Sequence, residues 1–121
     1  MAAHKNHSLV ARLRFAIAGL RHGWRTEKSL RTHALAVVLL LSVLAVLRPA
    51  VVWWALTILV SAAVIAAELF NTALEHLADH LHPDQHPQIR IVKDSAAAAV
   101  LVLAVAALAI AVALLISLER S

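Results

Sequence analysis

Long apolar stretches alternate with short polar ones along this chain, and the positions of the polar breaks predict helices rather than strands. Three stretches are apolar all round: Thr32 to Leu47, Ala50 to Phe70 and Ala96 to Leu118. The second and third each supply the ~20 residues that a helix needs to cross a bilayer. The first is shorter, roughly 24 Å by helical rise, and the flanking Arg31 and Arg48 can snorkel to make up the difference. Arg48-Pro49 predicts a tight turn between the first two spans, with Trp53 and Trp54 in the aromatic belt on the outer side. The second span is expected to continue as helix through Leu81, where Pro83 and Pro87 end it. The third is rich in alanine (Ala96 to Ala99, Ala104, Ala106, Ala107, Ala109, Ala111 and Ala113), and small residues let helices approach closely in lipid.

From about residue 8 to residue 28 the period changes. Leu9, Leu13, Ala16, Ile17, Leu20 and Trp24 recur at steps of three and four, while Arg14, Arg21, Arg25 and Lys28 gather away from that stripe. This is the signature of a helix lying on a membrane surface. If the helix continues far enough, Glu27 falls on the apolar stripe, unless Gly23 kinks it and turns Glu27 elsewhere. The expected fold is therefore an all-α integral membrane protein in one domain, 1–121. It has an N-terminal amphipathic surface helix at about 8–28 and spans at about 32–47, 50–70 and 96–118.

Composition agrees, and charge adds orientation. Of the 121 residues 62% are hydrophobic, more than a soluble domain of this size can bury. There is no cysteine, so disulfides are excluded. The first apolar run begins after about thirty residues with no cleavage site behind it, which argues against a secretory signal. Lys5, Arg12, Arg14, Arg21, Arg25, Lys28 and Arg31 precede the first span, and Arg90 and Lys93 lie between the second and third. Only Arg48 and Arg120 fall on the other side. The positive-inside rule then puts the N-terminus in the cytoplasm. The net charge of +4 follows from this topology and from contact with anionic lipid, and no nucleic acid is needed to account for it.

Where the second span runs out of apolar residues stand Glu68, Asn71 and Glu75, on one stripe of the helix by their spacing. Acids beside lipid are costly to keep and mark function. Phosphoryl transfer needs a base for the attacking hydroxyl, carboxylates to hold Mg²⁺ against phosphates, and a cation to balance charge on the transferred group. Glu68, the deepest, suits the base, and Glu75, two turns nearer the cytoplasm, suits metal and nucleotide, with Asn71 between them. Lys93 offers the phosphate-binding charge, and Asp94 can fix that lysine or assist the metal. A structural polar cluster, a scaffold, or the carrier acid of a small proton-coupled transporter fits the same spacing. The transporter is disfavoured because no acid lies at mid-membrane.

No glycine-rich phosphate loop is present, and two glycines cannot build one. Any ATP site must come from side chains on helices. His76, His80, His82 and His86 have spacings that can ligate a transition metal, but in a chain with eight histidines they read more simply as a solvated helix end. His33, at the mouth of the first span, reads as a head-group or interface residue, and Glu27 either as a solvated acid paired with Arg31 at i, i+4 or, from its place on the stripe, as a site residue.

Taken together, Glu68-Leu-Phe-Asn71-Thr-Ala-Leu-Glu75, Asp79, His86-Pro and Val92-Lys93-Asp94-Ser-Ala resemble the small prokaryotic diacylglycerol kinase family. The likeness extends upstream through Gly19-Leu20-Arg21-His-Gly-Trp24-Arg-Thr-Glu27-Lys-Ser-Leu-Arg31. It implies a homotrimer of three-span subunits in the bacterial inner membrane. Their shared sites, at the cytoplasmic boundary, transfer the γ-phosphate of MgATP to a lipid hydroxyl.

By that resemblance Glu68 is the general base, and Glu27 and Glu75 bridge Mg²⁺ and nucleotide. Asn71, Lys93 and Asp94 line the nucleotide site under a loop of Asp84, Gln85 and His86. Arg21, Trp24 and Arg31 sit near the lipid head group. Diacylglycerol, giving phosphatidate, is the leading acceptor. His33 stands where the diacylglycerol-specific branch has an acid, and Ala97 where it has serine. Both departures look more like the branch that includes undecaprenol kinases, so undecaprenol is the alternative acceptor.

Overall fold

A computed structural model describes residues 7–121. It contains four helices, α1 (Leu9–Thr26), α2 (Lys28–Leu47), α3 (Val51–Leu81) and α4 (Pro87–Glu119). Lys5, counted above among the cytoplasmic charges, lies outside the described residues.

Helix α1 starts at Ser8, whose hydroxyl accepts from the Ala11 amide at 3.3 Å. Its end differs from the expected one. Glu27 does not continue the helix but adopts an extended conformation (φ −109°, ψ 108°), and α2 begins at the next residue. Gly23 is not a kink. It is the one buried residue of α1, and a Cβ there would come within 3.0 Å of Leu30 and 3.1 Å of Leu69. Its missing side chain lets the end of α1 rest on α2 and α3. The last carbonyls of α1 find donors. Gly23 O accepts from the Glu27 amide and His22 O from the Thr26 hydroxyl, while Trp24 O and Arg25 O accept from the Arg31 guanidinium.

Helix α2 closes on Arg48 in the left-handed conformation (φ 49°, ψ 53°), its amide donating to Leu44 O at 2.8 Å, and the chain reverses at Pro49 as expected. The 31 residues of α3 give it roughly 46 Å of rise, more than the ~30 Å hydrocarbon core, so it is long enough to extend beyond a bilayer. It ends at Leu81, ahead of Pro83. Pro87 has the opposite role to the one expected, because it occupies the first turn of α4, where its missing amide costs nothing. The His86 ring caps that helix, accepting from the Gln88 amide at 3.1 Å. Helix α4 thus begins nine residues before Ala96, and Lys93 and Asp94 ride on its second turn.

Helix α3 is the centre of the fold. It packs most extensively against α4, then α2, and α1 leans on its C-terminal half. Its buried face reads Thr57, Val60, Ser61, Val64, Glu68, Thr72 and Ala78, at the steps expected of one helical stripe. Leu44 of α2 and Ala96 and Leu114 of α4 are also buried. The remaining apolar surface faces outward: only 11%, 22% and 6% of the most hydrophobic windows of α2, α3 and α4 are buried. Three helices long and apolar enough to cross a membrane, with that much exposed hydrocarbon, make this a membrane protein.

Candidate active site

The polar residues singled out in the sequence fall into three groups at one end of the bundle. The first centres on Glu68. It is 7% exposed, facing the start of α2 across the α2–α3 contact. Its Oε2 accepts from the Ser29 hydroxyl at 2.9 Å, and its Oε1 lies 2.9 Å from His33 Nδ1. The imidazole contact is out of line for a hydrogen bond. These partners offset part of the cost of burying a carboxylate. His33 is therefore not a free head-group residue. Neither it nor Ser29 stood among the expected site residues.

The second group lies one to two turns further out on α3. Asn71 Nδ2 donates to Glu75 Oε1 at 3.4 Å, while Asn71 Oδ1 is buried with no partner. Glu75 is half-buried. An unpartnered amide oxygen beside a carboxylate is the donor set of a hard divalent cation, so this pair fits Mg²⁺. Glu27, the other expected metal ligand, is half-buried at the α1–α2 break and makes no side-chain hydrogen bond or ion pair among the described residues. Among those residues no three acids or histidines converge as a metal site.

The third group surrounds an open cavity of about 700 Å³ between the end of α3 and the start of α4. Asp84, Gln85, His86, Lys93 and Asp94, all expected at the nucleotide, line it together with Asp79 and Arg90. The partner of Lys93 is not Asp94 but Asp79, one helix away, at 2.5 Å. Asp94 meets Arg90 at 3.8 Å on its own helix instead, a solvated pair worth little. The loop is shaped from within, with His82 Nδ1 donating to Asp84 O at 3.0 Å and the His82 and His86 rings edge to face. The cavity thus carries a lysine and an arginine among acids and an amide, at a scale that suits a polyphosphate head.

A groove of about 380 Å³, almost wholly apolar, runs between α1, α2 and Ile65 of α3, and brings Arg21 and Trp24 together with Leu30 and Ala34. Leu30 and Ala34 follow Ser29 and His33 in sequence, and Ile65 lies one turn from Glu68. Arg31 is not part of the groove. Its guanidinium is spent on the carbonyls of Trp24 (2.6 Å) and Arg25 (3.3 Å), and it does not pair with Glu27 through its side chain.

Residues 14–115 match the family model described as prokaryotic diacylglycerol kinase. Among curated proteins, an undecaprenol kinase of Bacillus subtilis (strain 168) is 32% identical over 75 residues, 62% of this chain and 61% of that protein. A diacylglycerol kinase of Synechocystis sp. is 33% identical over 93 residues, 76% of this chain and 53% of that protein. The chain thus spans less than two thirds of the length of either relative.

Proposed function

The chain belongs to the prokaryotic diacylglycerol kinase family, and we propose that it transfers the γ-phosphate of MgATP to a lipid hydroxyl at the cytoplasmic face of the bacterial inner membrane. Diacylglycerol is the acceptor and phosphatidate the product. One observation carries the reading. A buried acid, Glu68, stands where a membrane span gives out, and the same helix runs on to a cavity holding Lys93 and Arg90.

The roles follow from depth. The lipid's chains lie in the hydrocarbon, with the groove of Ile17, Leu20, Trp24 and Leu30 to receive one of them and its hydroxyl at the level of Glu68. As the hydroxyl oxygen bonds to the γ-phosphorus, its proton passes to Glu68. The bond from that phosphorus to the bridging oxygen breaks, and ADP leaves with the electron pair. Lys93 balances charge on the phosphates, and Asp84, Gln85 and His86 close over the nucleotide. Glu75, with Asn71 Oδ1 and with Glu27, is the set that would hold Mg²⁺, which neutralises phosphate charge when bound. We take the site to be completed in a homotrimer, as the family resemblance implies.

Two features favour undecaprenol as a second acceptor. His33 stands against Glu68 where the diacylglycerol-specific branch has an acid, and the Bacillus relative is named an undecaprenol kinase. A proton-coupled transporter is less well supported: the buried polar residues at mid-span of α3 are Thr57 and Ser61, and neither ionises.

The test is γ-labelled ATP turnover by purified protein in micelles, with diacylglycerol and undecaprenol side by side. Label in phosphatidate is the expected result. Label in undecaprenyl phosphate alone would keep the mechanism and change the acceptor, and no transfer to either by folded protein would overturn the kinase reading.

A further inference from the structure

Both oxygens of the Glu68 carboxylate are engaged from one turn of a neighbouring helix. Ser29 Oγ donates to Oε2 and His33 Nδ1 faces Oε1, each at 2.9 Å. The two residues are four apart at the start of α2, so they stand one above the other on the same face. We propose that Ser29 and His33 are positioning residues for the base, a two-point clamp that fixes the rotamer and the aim of Glu68. The proposal deepens the kinase reading and rests on it for the role of Glu68.

The physical case begins with what a glutamate at this place does unaided. Its side chain has three torsions, and at a membrane boundary the carboxylate gains by swinging toward water. A general base must instead sit within about 2.6–3.2 Å of the proton it takes. Holding it there needs contacts to both oxygens from an element that does not move with α3. Helix α2 supplies them, and its own start is fixed because Arg31, between Ser29 and His33, grips the carbonyls of Trp24 and Arg25.

The clamp leaves room for chemistry. A carboxylate offers about four lone-pair sites. Ser29 takes one. The imidazole, out of line for a hydrogen bond and with no other partner on Nδ1, takes none of them. Acceptor capacity thus remains for the lipid hydroxyl. His33 also keeps about a third of its side chain exposed while Glu68 is buried, so it forms the polar edge through which the carboxylate meets the head-group region. If Ser29 and His33 only held α2 against α3, their loss would weaken the protein equally whatever residue stood at 68. That difference makes the idea testable.

The experiment is a double-mutant cycle on the full chain. Ser29→Ala should lower kcat for lipid phosphorylation by ~10-fold or more, the scale of one hydrogen bond to a charged group, and His33→Ala should lower kcat as well, each with KM for ATP unchanged. Ser29→Thr, which keeps the hydroxyl, should retain most of the rate. In a Glu68→Gln background, followed through its residual labelled turnover, neither alanine change should cost anything further. Equal losses in both backgrounds would overturn the clamp.

A second readout does not depend on activity. The infrared difference between the unmodified chain and Glu68→Gln isolates the Glu68 carboxylate stretch, and Ser29→Ala and His33→Ala should each shift that band. An unmoved band would sink the proposal even if lipid is phosphorylated. A shifted band in a protein that phosphorylates no lipid would keep the clamp and remove the kinase reading.

Discussion

Arg31 donates from one guanidinium nitrogen to the carbonyl of Trp24 at 2.6 Å and to that of Arg25 at 3.3 Å, which ties the start of α2 to the last turn of α1. Nothing in the chain at that point is a usual helix breaker, since Thr26, Glu27 and Lys28 include neither proline nor glycine. The break holds because the carbonyls it exposes are satisfied from the next helix. Arg31→Met keeps the stem and removes the donors. It should lower unfolding stability by about 1 kcal/mol, read as an earlier thermal transition in detergent, and it should increase proteolytic cutting near Glu27.

Gly23 makes the complementary prediction. Alanine there gains about 1 kcal/mol of helix propensity but sets a methyl at 3.0 Å and 3.1 Å from the ends of two leucine side chains. Because Leu30 and Leu69 can each shift their terminal methyls, Gly23→Ala should be close to neutral. Gly23→Leu has no such escape and should cost about 1–3 kcal/mol by overpacking, lifting the end of α1 away from α3. The edge-to-face pair of His22 and His76, with centroids 5.4 Å apart, should separate with it, and cross-linking between cysteines placed at those two positions would report the loss.

Across the cavity, Lys93 and Asp79 form the ion pair that aims the lysine. Lys93→Met should reduce kcat by ~100-fold, the scale of losing one charge-stabilising donor in a transition state. Asp79→Asn leaves the cation in place but frees its direction. Its effect should appear as a higher KM for ATP with a smaller change in kcat, measured by varying ATP at saturating lipid.

The spans, the turn at Arg48 and the end of α3 at Leu81 were legible because they rest on local rules: run length, proline and apolar periodicity. Pro87 reads from sequence as a stop, yet it is a first-turn residue, since only the His86 cap and the length of the loop tell the two apart. Glu68, Lys93 and Glu75 stood out as charges beside lipid, but their partners were harder to see. Asp79 and Lys93 meet only because α3 and α4 pack, a contact of fourteen residues' separation that no helical period encodes. The Ser29–His33 pair did leave a trace. From Arg48, Ser29 and His33 lie 19 and 15 residues back along α2, and Glu68 lies 20 residues on along α3. An antiparallel pair about a tight turn brings equal counts to equal depth.

The unpartnered Oδ1 of Asn71 gives the last prediction. A buried amide oxygen left without a donor costs free energy that a bound cation can recover, and its neighbour Glu75 already supplies an anionic ligand. If that pair is part of the Mg²⁺ set, Asn71→Ala should weaken metal use before it weakens anything else. The free Mg²⁺ needed for half-maximal lipid phosphorylation should rise by ~10-fold, within the range for losing one partner of a metal site, while the rate at saturating Mg²⁺ recovers most of its value. Asn71→Asp keeps an oxygen there and adds charge, so its Mg²⁺ requirement should fall to or below that of the unmodified chain. A Mg²⁺ titration that superimposes for all three proteins would remove Asn71 from the metal site. The buried oxygen would then be a feature of helix packing alone.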